Sequence, residues 1–68
     1  MKEVATVRFL DAESGDEAWV IVRASDKIVG VAFTLKSNGD FEVFLERDDC
    51  RSLIAELQRA LTISETAK

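Results

Sequence analysis

Alternation of apolar and polar residues over the first two thirds of the chain predicts four β-strands. Strand-forming residues alternate there with a period of two, so that each stretch has one apolar side. Short polar segments separate the stretches, and the last of them reads Ser-Asn-Gly at 37–39. The predicted strands are residues 3–10, 17–23, 28–36 and 40–46. Four strands joined by short turns indicate an antiparallel β-meander.

The register of the predicted hairpins follows from matching apolar residues across neighbouring strands. A three-residue loop at 37–39 keeps apolar pairs together and places Gly39 where the backbone needs a left-handed residue. The predicted pairs are Leu35–Phe41, Phe33–Val43 and Val31–Leu45 in the last hairpin, Val22–Val29, Val20–Val31 and Ala18–Phe33 in the middle one, and Phe9–Ala18, Val7–Val20 and Leu10–Glu17 in the first. One side of the sheet, which we call the apolar face, is then apolar throughout.

A helix is predicted over residues 49–62, because apolar residues recur there at helical spacing. Asp48 or Asp49 is the expected N-cap, and residues 63–68 are expected to fray. The apolar residues of the helix are Cys50, Leu53, Ile54, Leu57 and Leu61. We expect this stripe to cover the apolar face, which gives a single α+β domain of ββββα order with the helix packed on one face of the sheet.

Size and charge narrow the range of functions. The 68 residues are enough for one domain only. The net charge of −4 opposes binding to a nucleic-acid backbone. No apolar run is long enough to span a membrane, and polar residues interrupt any signal-peptide pattern near the N-terminus. A cytoplasmic location is therefore expected.

The opposite side of the sheet, the outer face, is also apolar in its centre. The predicted register puts Trp19, Ala32 and Phe44 in one transverse row, which Ile21 and Ile28 extend. Arg8 and Arg23 lie on one side of this row and Glu42 and Glu46 on the other. A two-fold axis would bring the basic side of one copy onto the acidic side of the next. These nine residues are the predicted partner interface, and a homodimer is the predicted assembly, with another protein as the alternative occupant.

Catalytic and metal-binding chemistry finds little support in the sequence. Histidine is absent. The acidic segment at 11–17 departs from a calcium loop, since Gly15 and Asp16 stand where the pattern needs a ligand and a glycine. Cys50 lies on the apolar stripe and is interpreted as structural. We therefore predict a non-enzymatic interaction module without a metal or cofactor.

Two alternative functions remain. The ββββα order resembles that of PUR-repeat regulators, which implies a basic sheet face with stacking aromatics for single-stranded nucleic acid; Trp19, Phe44, Arg8 and Arg23 would supply it here. The second alternative is an acidic inhibitor, antitoxin-like or immunity-like, that binds a basic partner through the carboxylates at 11–17 and 40–49.

Overall fold

Four strands form one sheet, and a helix follows the last strand. The computed structural model describes residues 1–36 and 39–67. The elements are β1 (Lys2–Leu10), β2 (Glu17–Ala24), β3 (Ile28–Leu35), β4 (Gly39–Glu46) and α1 (Arg47–Thr66). The sheet is open and antiparallel in the order β1-β2-β3-β4, and α1 packs against β3 and β4. The predicted ββββα fold class is confirmed.

The first hairpin pairs as the sequence predicts. Phe9 lies opposite Ala18, and Val7 lies opposite Val20. The register shifts between Glu3 and Ala5, where an extra residue enters β1. Such a bulge bends an edge strand and makes it a poorer template for pairing with another chain.

The other two hairpins lie two residues away from the predicted register. Phe33 lies opposite Val20 and Phe41, and not opposite Ala18 and Val43. The rings of Phe33 and Phe41 stack with centroids 5.5 Å apart, a favourable cross-strand contact that the predicted register lacked. Because the displacement is an even number of residues, every side chain keeps its predicted face. Its neighbours across the sheet change.

The turns account for these displacements. The N–H of Ser25 donates to the carbonyl of Ile28 at 2.9 Å, so the β2–β3 turn centres one residue later than predicted. Gly39 has a φ of +83°, the left-handed conformation predicted for it, but it pairs with Leu35 as the first residue of β4. The rest of the predicted 37–39 loop, Ser37 and Asn38, lies outside the described residues.

The helix is longer than the predicted 49–62 at both ends. Its N-cap is Glu46, which makes no side-chain capping hydrogen bond, and Asp48 and Asp49 lie inside the first turn. The prediction that Asp48 or Asp49 caps the helix is therefore wrong, although both carboxylates still favour the positive end of the helix dipole. The first turn is held from outside, because the Arg47 guanidinium donates to the carbonyl of Asp26 at 2.7 Å.

The last turns of α1 are also helical, which corrects the prediction of a frayed tail from residue 63. The hydroxyls of Thr62 and Thr66 donate to the carbonyls four residues before them, at 3.0 Å and 3.1 Å. The helix therefore runs on to Thr66, and Ala67 closes it with a hydrogen bond to Ile63.

Packing of α1 on the sheet is confined to its beginning. Within the described part of the chain, α1 contacts neither β1 nor β2, and every residue of the helix except Cys50 is exposed. The expectation that the helical stripe covers the apolar face is therefore wrong. The radius of gyration is 13.5 Å, whereas a compact chain of this length has about 11 Å.

Candidate interaction surfaces

The apolar face of the sheet is open to solvent over much of its area. Its uncovered large side chains are between 40% and 62% exposed. They are Val7, Phe9, Phe33, Phe41 and Val43. Among the described residues, the only apolar side chains that are buried are the small ones of Ala18 and Ala32. A contiguous apolar surface of this kind is typical of an interaction site.

The apolar stripe of α1 is a second uncovered surface. Leu53, Ile54, Leu57 and Leu61 recur at helical spacing and are between 41% and 61% exposed. Charged residues occupy other sides of the helix, where Arg51 pairs with Asp48 at 2.9 Å and Arg59 pairs with Glu56 at 3.4 Å. The helix is thus amphipathic, and among the described residues most of its apolar side is left uncovered.

The outer face does not contain the row that the sequence predicted. Trp19 lies opposite Thr34, Phe44 lies opposite Gly30, and Ala32 lies between Ile21 and Glu42. The three residues predicted to line up are therefore distributed over three separate rows. The cause is the two-residue displacement of both hairpins, which preserves the face of each side chain but not its neighbours.

An ion pair crosses the middle of the outer face. The Arg23 guanidinium on β2 donates to the Glu42 carboxylate on β4 at 2.8 Å, and both side chains are about one third exposed or less. Gly30 on β3 lies between these strands, and a Cβ there would stand 3.2 Å from the Glu42 carboxylate and 3.4 Å from the Met1 sulfur. The missing side chain therefore leaves room for Arg23 and Glu42 to meet. The predicted basic and acidic sides of the outer face pair here within one chain.

The other predicted interface residues lie apart from this ion pair. Arg8 is directly opposite Trp19, at the end of the sheet towards the β1–β2 loop. Ile28 is opposite Glu46, at the end where α1 begins. Phe44 is 60% exposed, whereas Trp19 and Ile21 are only half-buried. The structure thus brings Ile21, Ala32, Arg23 and Glu42 together and leaves the other predicted residues around them.

The acidic loop between β1 and β2 is held by its own hydrogen bonds. The Asp11 carboxylate accepts from the Ser14 backbone N–H at 2.7 Å and from the Ser14 hydroxyl at 2.8 Å. These bonds stabilise the charged form and lower the pKa of Asp11 below its ordinary value of 3.8. The Gly15 N–H donates to the Asp11 carbonyl, and Gly15 has a φ of +78°. The loop is therefore a self-bonded turn.

Two shallow grooves of the surface lie beside the same loop, and a third lies over Arg23 and Glu42 on the outer face. One groove of 420 Å³ is lined by Arg8, Leu10 and Trp19 among others. A second, of 370 Å³, lies between Phe9, Phe33 and Phe41. Over residues 1–36 and 39–67, no three His, Cys, Asp or Glu side chains are placed to hold a metal ion together.

Comparison with known proteins gives no match. No protein-family model matches this chain, and no curated protein or solved structure is significantly similar to it. Within the described ranges, no helix combines the length and the apolar character needed to cross a membrane. The uncovered apolar surfaces are therefore the features from which we propose a function.

The exposure of the apolar face and of the helical stripe was missed from the sequence. The part of the sequence that could have predicted this exposure is the junction between the fourth strand and the helix. A helix that folds back over its own sheet needs a connection, commonly of about 2–6 residues. The predicted connection, Arg47 and Asp48, is at the lower limit of that range, and neither residue is a turn-forming glycine or proline.

Proposed function

We propose that this chain is a small acidic, non-enzymatic protein-interaction module whose working form is a homodimer. The dimer buries the apolar face of the sheet and the apolar stripe of α1. Both surfaces are needed to complete a hydrophobic core, since in one chain only small apolar side chains are buried among the described residues. A non-enzymatic role is supported by the absence of histidine and by the open, shallow grooves.

The observation that carries this proposal is the accessible area of one chain, 5638 Å². A compact monomer of this mass exposes about 4,300 Å². The excess of about 1,300 Å² per chain corresponds to about 2,600 Å² buried between two copies, which is the size of an obligate homodimer interface. At about 25 cal/mol per Å² of apolar area, burial on this scale provides a strong driving force for association.

The apolar face, rather than the outer face, is the better supported interface. The outer face neutralises its central charges through Arg23 and Glu42 in the same chain. Among the described strand residues, the only charged one on the apolar face is Lys2, opposite Ala24 at the bulged end of β1, and no ion pair crosses the centre of this face. The outer-face interface stays a prediction from the sequence, as do the acidic inhibitor and the single-stranded nucleic-acid binder.

A matched pair of helix variants tests the proposal. Leu57→Asp places a carboxylate in the stripe, and Ala55→Asp places the same charge on another side of the same helix. We expect Leu57→Asp to raise the dissociation constant of the dimer at least ~100-fold, because an unpaired charge would be buried. Light scattering after size exclusion should give twice 7.6 kDa for the unaltered chain and for Ala55→Asp, and a falling mass for Leu57→Asp. Equal masses for the two variants would overturn the proposal.

A further inference from the structure

The apolar face of the sheet and the apolar stripe of α1 are both largely exposed to solvent, and they do not pack against each other within one chain. The apolar face lacks a second layer, and the stripe of α1 lacks a sheet. A two-fold dimer that packed sheet on sheet would cover the first surface and leave Leu53, Ile54, Leu57 and Leu61 in water. Both surfaces are covered at once, by complementary layers, if the stripe of one chain meets the apolar face of the other.

The junction between β4 and α1 keeps the helix away from its own sheet. Strand β4 ends at Glu46, and α1 begins at Arg47, with no residue between them. Glu46 is extended, with φ −72° and ψ 165°. The Arg47 guanidinium also ties the first turn to the β2–β3 turn through the Asp26 carbonyl. Without a connecting loop, the stripe cannot turn back across its own β-strands.

The dimensions of the stripe fit the face of a second copy. The stripe from Cys50 to Leu61 rises about 16 Å at 1.5 Å per residue. Four strands about 4.8 Å apart span about 14 Å. One helix laid across the sheet therefore reaches from one edge strand to the other. The hollow between Phe9, Phe33 and Phe41 can receive a leucine side chain from that helix.

We propose that the dimer forms by reciprocal helix exchange, in which α1 of each chain packs across the apolar face of its partner. This inference rests on the proposed function and specifies its geometry. The interface is isologous, because stripe meets face twice about a two-fold axis. Each helix then completes a two-layer α+β core that is shared between chains. The outer faces, with their Arg23–Glu42 ion pairs, point away from the dimer centre.

Mixed cysteine cross-linking tests the exchange. One chain carries Cys50→Ser with Leu57→Cys in the stripe, and the other carries Cys50→Ser with Val20→Cys on the apolar face. The two are unfolded, mixed, refolded and treated with a short bis-maleimide. We expect the covalent product between the two different chains to exceed either covalent homodimer by about tenfold, because cross-linking needs close Cβ atoms. Ala55→Cys in place of Leu57→Cys is the matched control and should remove that product.

The outcomes separate the exchange from the dimer itself. Dominant Val20→Cys homodimers would overturn the exchange and leave a sheet-to-sheet dimer. A chain with both Leu57→Cys and Val20→Cys that cross-links only within itself would also overturn it. A second measurement needs no variant: in a refolded mixture of isotope-labelled and unlabelled chains, contacts between chains should join Leu57 to the apolar face. Their absence in a dimer of confirmed mass would overturn the exchange but not the proposed function.

Discussion

The two faces of this sheet are built from the same strands and differ in how they meet water. The outer face carries its own counter-charges, and Arg23 and Glu42 join across Gly30 at 2.8 Å. The apolar face carries valines and phenylalanines that remain 40–62% exposed. The outer face also exposes Leu10 and Phe44, but both lie on edge strands, whereas the exposed side chains of the apolar face include Phe33 on the inner strand β3. A contiguous apolar surface lowers its free energy by being covered. We therefore propose that two chains associate through the apolar face.

The contributions of the two faces to dimerisation should differ most clearly when one charge is added to either face of the edge strand β1. Val7→Lys places an ammonium on the apolar face, and Thr6→Lys places it on the outer face of the same strand. We expect Val7→Lys to raise the dissociation constant of the dimer at least ~30-fold, since the interface would bury an unpaired charge. Thr6→Lys should change it less than about threefold. Sedimentation equilibrium measures both constants, and similar values for the two variants would contradict the assignment.

The substitution Trp19→Asp tests whether the outer face contributes to stability without contributing to dimerisation. Trp19 is half-buried beside Arg8, so its loss should lower the free energy of unfolding by about 2 kcal/mol. The dimer mass should persist under native conditions, because Trp19 belongs to the outer face and only borders the hollow between Phe9, Phe33 and Phe41. Urea unfolding measures the stability change and light scattering measures the mass. Dissociation of a folded Trp19→Asp chain would contradict this account and indicate that the dimer interface is the outer face.

Breaking the Arg23–Glu42 ion pair should have a smaller effect. Glu42→Gln and Arg23→Gln should each lower the free energy of unfolding by about 1 kcal/mol, because the pair is only partly shielded from water. A double-mutant cycle should give a coupling energy of about 0.5–1 kcal/mol. Repeating the cycle in a Gly30→Val background should reduce that coupling, since the new side chain meets the Glu42 carboxylate. An unchanged coupling would contradict the role given to Gly30.

The smallest expected effect concerns the acidic loop. The folded pKa of Asp11 lies below 3.8. Its contribution to stability is therefore present in full above pH 3.8 and is lost as the pH falls through the folded pKa. Carbon-detected NMR titration of the Asp11 carboxyl should give a midpoint below 3.8, and Ser14→Ala should move it upwards by removing one donor. A midpoint at or above 3.8 in the unaltered chain would contradict the hydrogen-bonded turn.

Strand positions and side-chain faces were predictable because alternation is a local property of the sequence. The four strands lie within one residue of their predicted bounds. Pairing partners were less predictable, since Phe33 can find an apolar neighbour at either Val43 or Phe41. The choice depends on turn contacts, such as Ser25 with Ile28 and Arg47 with Asp26, that a pattern of apolar residues does not encode.

The proposed site was predictable only in part, for a different reason. The sequence identifies which residues of the helix are apolar, but their cover depends on the direction in which α1 leaves the sheet. That direction is set by the missing connection between Glu46 and Arg47. Amphipathic stripes look the same whether they pack on their own sheet or on a partner's sheet.

Sedimentation equilibrium of the unaltered chain, over a wide range of concentrations, tests the central claim most directly. We expect a mass of twice 7.6 kDa that persists at low concentration, because each chain exposes a large apolar area that a second copy covers. A folded species of 7.6 kDa at all concentrations would contradict the account.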